Sequence, residues 1–409
     1  MANTFNLGNG NWAQKTEKLL AYNAENDNYK PLPFDFDRAS TATRVNRQGL
    51  IETVSVDEPR IDFLNNSKGH LLLEPSRSNI VTYSEDTTTW GKNETPVVTL
   101  NNGIAPDGTQ SSDKAVVNSI SEGLFNFSAG TVTSGTTYTT SIFIKHISGI
   151  QTIRFGFAGT GFGGDNNNVF NIVNGTIVSS VANSTNQIIN YGNGWFRLIC
   201  TKAATATNTG GFILYGNVNA EIQYNVWGAQ LEAGYLTSYI PTQGSAVTRS
   251  AETGVDCLLP NGTIIDNSTA TVYFEFEALA DDASDRWISF EEVGTATDNQ
   301  FEIRLAAAFD LIQIVTRSSG GGQDVTMSET LTDITANNKI ALNYNGLNWK
   351  LAVNGTITDT ATAARLFNDN IEKIKFSRQN NTNHFYGKVK DLRVYNTALT
   401  DAELIALTS

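Results

Sequence analysis

Apolar residues recur at every second position in run after run of this chain. Val272, Phe274 and Phe276 alternate with Tyr273, Glu275 and Glu277, and Ile153, Phe155 and Phe157 alternate with Arg154 and Gly156. Ile142 and Ile144 point one way along 139–145, while Ser141, Phe143 and Lys145 point the other. Successive side chains of a strand face opposite sides, so this period prescribes half-buried strands and not the 3.6-residue stripe of a helix. The same reading predicts strands over 195–202, 221–232, 340–344, 349–353 and 387–396. Turn clusters punctuate them at 161–168 and 190–194. Asn345-Gly346 and Asn354-Gly355 favour positive φ, and so predict hairpins. Many short strands with turn signals and no long helical pattern point to an all-β protein built of sandwiches or jelly rolls. Two short helices are expected. One lies over 12–22. The other is opened by the capping-box spacing of Thr400-Asp401-Ala402-Glu403, with Leu404, Ile405 and Leu407 behind it.

Composition limits what such a fold can do. The chain has 409 residues, room for two to four domains at about 100–200 residues each. Its 28 Lys and Arg against 41 Asp and Glu give a formal net charge of −13, which argues against nucleic acid or an anionic membrane as the main partner, since those need a basic face. With 40% hydrophobic and 17% charged residues, the chain has the balance of a folded protein. Two cysteines, Cys200 and Cys257, make no disulfide framework or Cys-based zinc site, and both are expected as free thiols. Three histidines, His70, His146 and His384, have no i, i+4 partner among them, which argues against a histidine metal centre. The first residues lack the basic and apolar regions of a Sec signal, and no run of about 18 apolar residues occurs. The expectation is synthesis in the cytoplasm with no membrane insertion.

Five regions are expected. Residues 1–35 read as an irregular N-terminal arm, either ordered on a partner or packed as a clasp on its own domain. Residues 36–79 read as a β-rich connector with recurring Arg38, Arg44, Arg60 and Arg77, whose planar forks suit tying loops to carboxylates. Residues 80–242 form one β domain, 243–262 a polar linker, and 263–409 a second β domain.

Two resemblances are carried by particular residues. The ending Gly387 to Asn396, followed by Leu399-Thr400-Asp401-Ala402-Glu403-Leu404-Ile405, resembles the closing strand and helix of laminin-G/concanavalin-like domains. That resemblance implies a concanavalin-like sandwich over about 263–409, a fold that hosts adhesion, sugar binding and spacer roles alike. Six motifs in one order resemble a module of bacteriophage structural proteins. They are Arg38 to Val45, Gly49-Leu50-Ile51-Glu52, Leu72 to Asn79, Trp227-Gly228-Ala229-Gln230-Leu231-Glu232, Thr237 to Thr242, and Val247 to Glu252. The resemblance implies a head-fibre or tail-fibre appendage whose central domain is like the jelly rolls of carbohydrate-binding modules. It also implies a homo-oligomer, often a trimer, and partners among capsid or tail proteins at the virion surface.

No catalytic motif stands out. Gly-x-Ser-x-Gly and His-Glu-x-x-His are absent, and Ser318-Ser319-Gly320-Gly321-Gly322 lacks the Lys-Ser/Thr of a phosphate loop. Glu74, Glu85, Asp107, Glu232, Glu291 and Glu292 are carboxylates that a glycosidase would have to pair across a cleft. Non-catalytic binding is the expectation. Sugar recognition needs an aromatic face for the ring and amides or carboxylates for the hydroxyls. By loop position the candidates are Trp90, Phe162 with Asp165 and Asn166, and Tyr191 in the first β domain. In the second they are Trp287, Asn381 and His384. Trp195 and Trp227 fall within strands and read as core. No cofactor is required. Both resembled families often carry a structural Ca²⁺, and the loop of Asp281, Asp282 and Asp285 is acidic, with no EF-hand spacing. The expected function is attachment of a virion to host surface glycans. A ligand-free decoration protein and a polysaccharide-degrading appendage enzyme are the alternatives.

Overall fold

A computed structural model describes residues 5–15, 18–22, 27, 33–163, 167–258, 265–292, 300–306, 310–318, 323–367 and 371–409. The described chain is all β apart from a single helix, Asp401–Thr408. It divides into two compact units, one of residues 1–41, 54–75 and 251–409, the other of 42–53 and 76–250.

The first unit is a concanavalin-like sandwich. One sheet runs in the order Thr356–Thr362, Asn348–Val353, Asn338–Asn345, Thr269–Ala278, Gly387–Tyr395, His70–Leu73, Ile61–Asp62, with Phe5–Gly8 also paired to Gly387–Tyr395. The other runs Ala13–Lys15, Lys18–Leu20, Pro33–Asp37, Thr253–Leu258, Lys373–Lys375, Asp285–Glu291, Gln300–Ala306, Leu311–Arg317, Gln323–Thr330. The alternating residues meet in one core. Val272, Phe274 and Phe276 join Ile288, Phe290, Phe301, Ile303, Ile314 and Ile374, all nearly inaccessible. The helix covers the outer side of the first sheet, where Leu404 packs with Tyr273, Ala341, Ala352 and Tyr395. Thr400 caps it, and Glu403 completes the capping box. Asn354 and Gly355 both take positive φ (45° and 85°) in the two-residue turn between the register partners Val353 and Thr356. The other Asn-Gly pair is offset by one, since Asn345 pairs with Asn348 and the positive φ falls on Gly346.

The second unit is a jelly-roll-like sandwich of two six-stranded sheets. One runs Gly91–Asn93, Gly123–Val132, Asn208–Gly216, Thr152–Ala158, Asn168–Asn171, Thr176–Ser179. The other runs Val97–Gly103, Ser112–Val117, Ile222–Ala233, Thr137–Gly149, Trp195–Ala203, Thr185–Gly192. Ile142 and Ile144 enter the core with Phe155, Phe157, Leu198 and Leu214. Phe143, on the opposite face, is also fully buried, under Trp227, Tyr239 and the Arg197 guanidinium.

Several expectations change. Phe5–Gly8 is not a free arm. Phe5 and Leu7 are inaccessible core residues, and Asn6 donates to Asp391 at 2.8 Å. The helix expected over 12–22 is instead the antiparallel pair Ala13–Lys15 and Lys18–Leu20. So short a segment cannot hold a helix by itself, and a strand partner is at hand in Pro33–Asp37. Residues 36–79 are not a separate connector, and 243–258, the described part of the expected linker, is not free. Val247–Arg249 pairs with Arg77–Asn79, and Thr253–Leu258 is a strand of the nine-stranded sheet. The chain passes between units after residues 41, 53, 75 and 250. Cys200 and Cys257 are buried and unbonded to each other.

Candidate functional site

Charged residues inside the first unit form two kinds of cluster. The first is closed. Arg38, Arg60, Glu74 and Glu252 are each at most 2% exposed. Arg60 contacts Glu74 at 2.8 Å and Glu252 at 2.6 Å, Arg38 contacts Glu252 at 3.3 Å, and the Glu74 amide donates to Glu252 at 2.8 Å. Arg38 also donates to the Ser40 and Glu58 carbonyls. Burial disfavours the Arg60 charge, but Glu252 and Glu74 overcome it and hold the guanidinium above its ordinary pKa. Every charge here answers another, so the cluster is a tie and not a receptor.

The motif residues Asn79 and Glu232 of the second unit are consumed in the same way. Asn79 donates to the carbonyls of Ala229 and Ile240 at 3.1 and 2.9 Å, while its oxygen accepts from the Val81 and Leu231 amides. Glu232 accepts from Gln230 and from both the amide and hydroxyl of Thr237. Burial raises its pKa above the ordinary carboxylate range, against those bonds. The motif residues therefore specify how segments far apart in sequence knit together.

The second kind of cluster is open. It lies on the face of the nine-stranded sheet turned away from the core. Ile288, Phe290, Phe301 and Ile303 point inward, so their neighbours Trp287, Ser289, Glu291, Gln300, Glu302 and Arg304 share the opposite face. The segment after Lys373–Lys375 folds along this face. The Trp287 amide donates to the Asn383 carbonyl at 3.1 Å, and the Ser289 hydroxyl to the Ser377 carbonyl at 2.9 Å. Arg304 and Arg378 lie over the Trp287 ring, their guanidinium carbons 5.4 and 4.9 Å from its centroid. Arg304 pairs with Asp285 at 2.8 Å, Arg317 with Glu302 at 2.8 Å, and Lys375 with Glu291 at 3.0 Å. Burial raises the Glu291 pKa, and Lys375 opposes the rise. Polar capacity is left over here. The indole Nε1 of Trp287, both amide atoms of Gln300, one oxygen of Glu302, the Nε of Arg304 and of Arg378, and the Gln379 oxygen find no hydrogen-bond partner among the described residues. Buried polar atoms are nearly always satisfied, so this concentration on one face marks a place built to meet something else.

The structure sorts the sequence-predicted residues by this geometry. Trp90 is not a platform. Its ring is 3% exposed, edge-on to Phe212 at 5.0 Å, and its N–H is spent on the Tyr83 carbonyl at 2.8 Å. Phe162 is fully buried against Phe157 and Tyr138. A large apolar ring in a loop gains more by entering the core than by facing water. Tyr191 is half-buried with its edge on Phe143. Asp165 and Asn166 lie outside the described residues, as do residues 319–322 of the glycine loop and 259–264 of the connection. The segment of Asn381 and His384 runs beside the strand of Trp287, whose amide donates to the Asn383 carbonyl at 3.1 Å. Trp287 is not a stacking face, however; it is 6% exposed and overlaid by arginines. Burial lowers the His384 pKa.

Gln300, Glu302, Arg304, Arg378 and Gln379 were missed by the sequence reading. The signal for three of them was the strand alternation of 300–304, which puts polar side chains on one face. Phe125 and Phe127 were missed too. They stack at 4.0 Å on the second unit, Phe127 being 45% exposed. The acidic loop is occupied by arginines, since Asp282 pairs with Arg286 and Asp285 with Arg304. No three potential metal ligands converge among the described residues.

Residues 250–405 match the family described as the concanavalin A-like lectin/glucanases superfamily. Among solved structures, the chain is similar to the CBM40 domain of the Ruminococcus gnavus IT-sialidase bound to alpha2,3 sialyllactose. The identity is 20%, 35% of this chain and 83% of that one are covered, and the TM-score is 0.30. A mutant of NanB sialidase from Streptococcus pneumoniae is similar at 16% identity, with 36% and 25% covered and a TM-score of 0.31. The receptor binding domain of botulinum neurotoxin type G follows at 10% identity, with 37% and 41% covered and a TM-score of 0.28. No curated protein matches the chain. The family match and the strand architecture agree on the concanavalin-like fold of the first unit.

Proposed function

We propose that this chain is a non-catalytic glycan-binding component of a bacteriophage appendage, on head or tail, that attaches the particle to host surface saccharides. The observation that carries the binding half is the open cluster around Trp287, where buried donors and acceptors on one sheet face lack partners among the described residues. Saccharide hydroxyls both donate and accept, and match such a mixed set. The superfamily match over 250–405 supports the same reading. The six motifs of the sequence support the appendage half. They imply capsid or tail proteins as partners, a homotrimer as the assembly and the virion surface as the location. Copies side by side would turn a weak site into firm attachment.

The full chain, offered an array of bacterial surface saccharides, is expected to bind a subset, and Gln300→Ala with Glu302→Ala to lose that binding. A flat array across the whole set overturns the binding half. Mass analysis of purified particles tests the appendage half, which fails if the chain is absent from them. One observation favours a ligand-free decoration protein instead: the motif residues Arg38, Glu74, Asn79 and Glu232 all turn inward and serve the fold.

A further inference from the structure

We propose that the saccharide received at this face bears a carboxylate, and that Arg378 is the residue that receives it. The inference deepens the glycan-binding reading and rests on it. Each of the other cations described on this face has its counter-charge. Arg304 has Asp285, Arg317 has Glu302, Lys375 has Glu291, and Lys373 has Asp256 at 2.7 Å. Arg378 has no carboxylate within ion-pair distance among the described residues, and its Nε has no acceptor.

It is also held in place. Its guanidinium lies 4.9 Å from the Trp287 centroid. Its backbone closes a tight turn, with Arg378 N donating to the Thr382 carbonyl at 2.9 Å and Asn381 N to the Arg378 carbonyl at 2.8 Å. A guanidinium stacked on an aromatic ring has lost side-chain freedom before any ligand arrives, and its donor edge stays open. That planar edge fits the two oxygens of a carboxylate.

A second observation, independent of Arg378, fixes the rest of the ligand. Gln300 and Glu302 are fully buried with unpaired amide and carboxylate atoms, and the 6% exposed Trp287 offers an unpaired N–H. The Gln300 amide and the indole N–H are neutral, and with the second Glu302 oxygen, an acceptor, they suit hydroxyls. In a chain of net charge −13, an unneutralised cation beside hydroxyl-binding groups selects an acidic sugar over a free polyanion such as nucleic acid.

The test is titration calorimetry with the full chain and matched saccharide pairs. A hexuronate oligomer and a sialylated oligosaccharide are each compared with their carboxyl-reduced forms, with a sulfated neutral oligosaccharide alongside. At least one acid is expected to bind about tenfold or more tightly than its reduced form, a difference of about 1.4 kcal/mol. Arg378→Gln should erase that preference while leaving the melting temperature in place, and Arg378→Lys should restore part of it. Equal binding of acid and reduced forms, or sulfated binding as tight as the acid, overturns the carboxylate inference and leaves glycan binding standing. Binding of no saccharide at all defeats both.

Discussion

Arginine does opposite work in two regions of the first unit. Around Glu252, Arg38 and Arg60 are sealed from water and matched by two carboxylates, and backbone carbonyls take further donors of Arg38. Around Trp287, Arg304 and Arg378 share an indole, but only Arg304 has a carboxylate. The residue type is the same; the local supply of acceptors differs. A saturated cluster has nothing left to offer a ligand, and its worth lies in joining segments 192 and 214 residues apart in sequence. An unsaturated one keeps polar capacity with which to select a partner.

Breaking the closed cluster should have the largest effect. Glu252→Gln leaves two buried guanidinium groups short of a charge and should cost about 3–5 kcal/mol, read by urea unfolding. A loss below about 1 kcal/mol would mean that the cluster does not tie these segments together. Next comes Glu302→Gln, which removes the partner of the part-exposed Arg317. Its expected cost is about 1–3 kcal/mol, and a cost above that of Glu252→Gln would invert the comparison.

A titration sharpens the contrast from another side. Burial first, and then Lys388, push the His70 pKa from 6.5 down to about 3. Its Nε2 lies 3.8 Å from Asp62, but the ring is neutral at neutral pH and makes no ion pair there. The unfolded chain takes up this proton near 6.5 while the folded chain refuses it to about 3. Stability from His70 is therefore complete above that window and lost as pH falls through it, by at most about 1.4 kcal/mol per pH unit. His70→Asn should flatten the fall between pH 6 and 4 in thermal melts; an unchanged slope would assign acid sensitivity elsewhere. The smallest effect is expected from Arg378→Gln, within about 0.5 kcal/mol of the parent in unfolding. A larger loss would place Arg378 with the closed cluster and not with the open one.

The strand pattern was legible because burial on one side of a sheet leaves a period of two in the residues themselves. Val272 to Phe276 and Ile142 with Ile144 follow it, and the helix after Thr400 was legible from its capping box. The candidate site was legible only in part. Choosing aromatic and polar residues near loops led to the segment of Trp287, Asn381 and His384, but the same rule wrongly exposed Trp90 and Phe162. Nothing in a residue's name says whether its ring will meet water or Phe212. Arg378 was passed over because a lone arginine in a polar turn has no signature until its neighbours are known.

The sequence by itself determined that this is an all-β chain with a capped C-terminal helix, since alternation, turn residues and capping are local properties of neighbouring side chains. Tertiary structure alone decided that Phe5–Gly8 is a strand of the concanavalin-like sandwich. It also decided that Arg38 and Arg60 are spent on Glu252 and Glu74 while Arg378 is not. Whether a charge is satisfied depends on which distant segments pack beside it, and that is set by the closing of the whole sheet.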